Sequence, residues 1–196
     1  PLYSSAASDV YKRQVSYYVD MRGRHVLDTE QWAWADRWSA DVDHPGYDFV
    51  TAFAALRRGD RAAAEMILAD LRGDLGPNAP PRNRIMAMEL EALLALDAAQ
   101  GDRALSLLQE ATDIEEGLPF EFGPPASLAP PHELLGNVAM ELQRYDVALR
   151  AFHEALDFTP ERIPALEGLA EAARAAGRSA TAADAEARLR AIRHRP

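Results

Sequence analysis

Cysteine is absent from the 196 residues. That excludes disulfides, zinc–thiolate sites and cysteine nucleophiles. Lysine occurs once, at Lys12. No apolar run approaches the roughly 20 residues that a membrane-spanning helix requires. Positive charge is scarce: 21 Lys and Arg stand against 31 Asp and Glu, a formal net charge of −10. Phosphate backbones are held by basic surfaces, so nucleic acid is not an expected partner. The chain also lacks a P-loop, a Gly-x-Gly-x-x-Gly fingerprint and a Gly-x-Ser-x-Gly elbow. Neither a cofactor nor an enzymatic activity is expected. Alternating apolar residues of strand period are missing as well.

The 48% hydrophobic and 27% charged residues are ordinary for a globular domain or a short solenoid. The arginines are unevenly matched by lysine. From Val15 onward there are 19 arginines and no lysine. The opening PLYSSAASDVYKRQ does not share this bias, and it resembles translated sequencing-adapter read-through. Residues 1–14 are therefore set apart from fold reasoning as a non-native segment, and residues 15–196 are read as one helical repeat domain.

Internal repeats carry most of the information. The clearest spans 129–162, with Leu135, Gly136, Ala139, Tyr145, Ala148, Phe152, Ala155 and Pro160. Small Gly136 and Ala148 let two antiparallel helices approach, Leu135 and Phe152 fill the space beside them, and Pro160 ends the second helix. In 163–196, Leu166, Leu169, Ala170, Ala173, Gly177 and Ala182 keep that register, and the Ala/Glu/Arg-rich end reads as a polar cap. Upstream, 48–56 and 62–71 flank Arg58-Gly59-Asp60, and 85–99 and 103–115 flank Gly101-Asp102. Farther upstream, 17–27 and 31–38 flank Asp28-Thr29-Glu30, with Gly23, Trp32 and Ala35 in the places of Gly136, Tyr145 and Ala148. Loops are expected over 39–47, 73–81 and 117–131.

The 129–162 segment resembles the tetratricopeptide repeat, with His132 where that family often has tryptophan. The resemblance implies an all-α, right-handed α-solenoid of about five antiparallel helix pairs. Phe122-Gly123-Pro124-Pro125 followed by His132-Glu133-Leu134-Leu135-Gly136 is similar to the C-terminal part of longer bacterial tetratricopeptide proteins of unassigned function. That likeness implies further hairpins before Val15, and a truncated N-terminal end through which the array would self-associate. The function it implies is a protein–protein interaction scaffold. The alternative is a regulatory or substrate-recruiting region of a larger enzyme.

Candidate chemistry is thin. His132-Glu133 starts like a zincin motif, but position 136 is glycine, so the second histidine ligand is missing. A helix start with an acid near its N-terminus is the simpler reading. Asp41, Asp43 and Gly46 imitate an EF-hand opening, yet Pro45 and Ala52 stand where oxygen ligands are needed. Trp32, Trp34 and Trp38 are read as packing residues, with a ligand-binding surface shared with the 117–131 loop as the alternative.

The first helix of each hairpin in this family lines a concave groove. The repeat register puts Glu89, Glu133 and Glu167 at one groove position, with Asp97, Asn137, Glu141, Glu171 and Arg174 one or two turns on. This mainly acidic ladder predicts a basic or polar protein segment as partner, although a solvated helix face gives the same pattern. The chaperone-tail clamp of the family does not carry over. Asn137 matches its first asparagine, but Glu133 stands in place of the lysine and Gly168 in place of the second asparagine.

Overall fold

A computed structural model describes residues 2–37, 44–119 and 127–194, with side chains from residue 14 onward. Its described elements are all helical: α1 (Leu2–Thr29), a 3-10 helix (Trp32–Arg37), α2 (Pro45–Arg57), α3 (Arg61–Gly73), α4 (Pro81–Asp97), α5 (Gly101–Glu116), α6 (Pro131–Glu141), α7 (Tyr145–Phe158), α8 (Ile163–Ala175) and α9 (Ser179–Arg193). They pair in sequence, as the repeats predict, into an all-α solenoid.

The starts and turns are written locally. Proline occupies one of the first two positions of α2, α4, α6 and α8, where its missing amide costs nothing and its fixed φ favours the helix. Asp60 caps α3 by accepting from the Ala63 amide at 3.1 Å. Each of the five turns inside a hairpin carries one residue in the left-handed region: Glu30, Gly59, Ala99, Gln143 and Gly177. In four of them the next amide donates back to an alanine carbonyl: Asp60 to Ala55, Gln100 to Ala95, Arg144 to Ala139 and Arg178 to Ala173. These bonds satisfy carbonyls that a helix end otherwise leaves open.

Packing follows from the small residues. A side chain on Gly136 would begin 2.7 Å from the Phe152 ring, and one on Gly168 would begin 2.3 Å from it. Phe152 is thus held between the first helices of two consecutive hairpins. The first helices of successive hairpins touch one another from α2 through α8, whereas the second helices meet mainly their own partner and the next first helix. The inner wall is therefore α2, α4, α6 and α8.

Two features depart from the repeat reading. Over the described part of the helix expected at 31–38, the backbone is a six-residue 3-10 helix, Trp32–Arg37, in which Ala35 alone is buried. The helix beginning at Leu2 passes through Gln14 without a break in the backbone, while the side chains of residues 1–13 lie outside the described set. From Val19 onward α1 runs along the starts of the inner helices. Val19 lies against Gly46 at the start of α2. Asp20 pairs with Arg82 on α4, Arg24 donates to the Ser127 carbonyl ahead of α6 at 2.7 Å, and Asp28 accepts from Arg162 ahead of α8 at 2.9 Å.

Candidate functional site

The repeat register puts Glu89, Glu133 and Glu167 on inner helices, but burial separates them. Glu89 is fully buried, and its carboxylate accepts from the Ser127 hydroxyl at 3.2 Å. Burial pushes its pKa well above the ordinary carboxylate value. Glu133 is 6% exposed and is gripped by Arg162. Its pKa is also raised by burial, with the Arg162 hydrogen bond pulling the other way. Both acids lie beneath α1 and the buried Ser127–Ala129 segment, so neither faces an open groove. Glu167 is exposed but accepts from Arg193 at 2.5 Å. Arg174 is engaged by Glu186 at 3.5 Å, and Asp97 by Arg61 at 2.7 Å. Glu171 is exposed.

Asn137 and Glu141 remain open, and the structure brings them to a cleft the register could not show. The cleft encloses about 470 Å³ and is lined by Glu30, Trp32, Arg57, Asn137, Val138 and Glu141. Three parts of the chain meet there: the turn after α1, the end of α2, and the face of α6 that carries Asn137 and Glu141. The Trp32 ring packs on Phe53 with centroids 5.8 Å apart, and the Arg57 guanidinium lies 5.3 Å above the same Phe53. Glu30, Asn137 and Glu141 are exposed.

Between α1 and the starts of α6 and α8 is a polar layer that sequence reasoning missed. Glu115, half-buried on α5, has its pKa raised to about 7, chiefly by burial and against the pull of Arg24. Arg24 is itself pushed down by burial and by the charge on Arg162. The layer joins residues more than a hundred positions apart, beyond the reach of local periodicity.

His132 takes the tryptophan place of the repeat as a core residue. It is 1% exposed and stacks on Phe158 at 5.4 Å. Its two ring nitrogens face Glu116 at 3.4 Å and Glu154 at 3.5 Å. Burial lowers its pKa, and these carboxylates only partly offset that. Of the tryptophans, Trp32 packs as expected, but Trp34 is 43% exposed, edge-on to His25 with Arg37 above it. Trp38, Asp41, Asp43 and residues 120–126 lie outside the described residues. The end of the 117–131 loop is not a solvated linker, because Ser127, Leu128 and Ala129 are buried against α1 and α4.

No protein-family model and no curated protein matches the chain. Among solved structures, MamA of AMB-1 is 17% identical, with 92% of both chains covered and a TM-score of 0.50. A point mutant of MamA is 16% identical, covering 91% of this chain and 92% of its own, again at 0.50. MamA is a tetratricopeptide-like helical repeat protein, and at these identities the likeness is one of fold: this chain has a tetratricopeptide-type helical repeat architecture.

Proposed function

We propose that the chain is a protein-interaction scaffold and that a partner segment of basic or polar character lies along the inner face of α6. The observation that carries this reading is the cleft of Glu30, Trp32, Arg57, Asn137, Val138 and Glu141. It is open, it is built from three separate parts of a helical-repeat wall, and its polar groups are presented outward. Concave sites that combine an aromatic surface with a few convergent polar groups are where ligands are usually held. The acidic balance of the whole chain, −10, favours a partner of opposite sign.

Site-specific photocrosslinking in the native cell tests the reading. A photoreactive residue at Asn137 should crosslink a defined partner, and Glu141→Arg in the same chain should abolish the product. The same residue at exposed Glu110 on α5 should give none. Equal products from both positions, unchanged by Glu141→Arg, would place the interaction elsewhere.

A further inference from the structure

We infer that the cleft is an anchor site for one arginine side chain of the partner segment, an inference that rests on the scaffold reading above. The acids of the inner wall are mostly satisfied from within. Glu133 has Arg162, Glu167 has Arg193, and Glu89 has the Ser127 hydroxyl. Glu30 and Glu141 differ: both line the cleft, and among the described residues the side-chain carboxylate of neither has a hydrogen-bond or ion-pair partner. Two exposed carboxylates without an ion-pair partner among the described residues thus border one opening, on opposite walls contributed by the turn after α1 and by α6.

The wall between them favours a flat cation. Trp32 presents an indole that Phe53 supports from one side. A guanidinium can lie on an aromatic face while its edge donates to carboxylates, which a compact ammonium does less well. Asn137 adds an amide able to bond the backbone of an extended segment. Arg57, held over Phe53, supplies the single positive charge of the lining. It leaves the cleft with an excess of one negative charge, suited to one incoming cation rather than a run of them.

The test uses two pools of short degenerate peptides, one with a fixed central arginine and one with citrulline, which keeps the planar shape without the charge. Binding to the full chain is measured by fluorescence anisotropy. The arginine pool should bind and the citrulline pool should bind at least about tenfold more weakly, the scale of one charge-assisted pair. Glu30→Gln and Glu141→Gln, both exposed changes, should each weaken the arginine pool, and Arg57→Ala should strengthen it. If both pools bind equally and the glutamine variants change nothing, the anchor is refuted while the scaffold reading stands. If neither pool binds while a crosslinked partner is still captured at Asn137, the anchor is again refuted. If crosslinking fails too, the scaffold reading falls with it.

Discussion

Phe152 and the two glycines that flank it decide the packing of the second half of the chain. Glycine inside a helix costs about 1 kcal/mol against alanine, so it is retained at Gly136 and Gly168 because the ring leaves no room for a side chain. Gly136→Leu should lower stability by about 1–3 kcal/mol or more in urea titration, since overpacking here meets a buried ring held from both sides. Native stability in that variant would mean the ring can move aside. Glu115 offers a second residue-scale test. Its pKa stands near 7 folded against an ordinary 4.5, so the folded state holds a proton that the unfolded chain releases. Stability from this group is therefore full below about pH 4.5 and is lost as pH rises towards 7. Glu89 and Glu133 are shifted in the same direction, whereas His132, lowered from 6.5, loses stability as pH falls. Glu115→Gln should flatten the decline in urea midpoint between pH 4.5 and 7. An unchanged slope would mean Glu115 is solvated.

Hairpin turns carry the next scale. Ala99 and Gln143 hold φ of 58°, a conformation that glycine adopts freely and at Gly59 and Gly177 does adopt. Ala99→Gly and Gln143→Gly should each raise stability by about 1 kcal/mol, read as a higher melting temperature. A fall would mean the side chain contributes more than the backbone strain removes. Most of this architecture was legible in sequence. Gly136, Ala148, Phe152 and Pro160 specify a helix pair because small and large residues at those spacings have few other ways to pack. The prolines were less well read. Pro45 and Pro131 looked like loop residues, yet they begin α2 and α6, because proline is a breaker inside a helix and a starter at its first turn. Glu89 and Glu133 were legible as inner-wall positions but not as buried ones. What covers them comes from α1 and from Ser127–Ala129, and no local period encodes a contact between Asp28 and Arg162. Removal of Pro1–Gln14 is the test for the opening segment. Among the described side chains of α1 the first buried one is Val19, and with residues 1–14 read as a non-native segment the melting temperature should stay unchanged; a drop of several degrees would show that those residues pack.

Over the whole molecule, α1 and the arginines that tie it to the inner helices turn a row of hairpins into a wall that carries the Glu30–Glu141 cleft. Arg24, Arg82 and Arg162 join α1 to the segments that start α6, α4 and α8. Breaking a partly buried ion pair by removing one partner leaves an uncompensated charge. Arg162→Ala should therefore cost roughly 3 kcal/mol in urea titration, more than the typical 0–1 kcal/mol of an exposed pair. The same ties fix where Glu30 and Trp32 stand relative to α6, so the fold and the proposed recognition share one set of contacts. The most direct measurement is amide and indole NMR mapping during titration with the arginine-fixed peptide pool. The account predicts that shift changes concentrate at Glu30, the Trp32 indole, Asn137, Val138 and Glu141, and vanish in the Glu30→Gln, Glu141→Gln double variant. Changes centred on α3, α5 or α9, and indifferent to that variant, would contradict it.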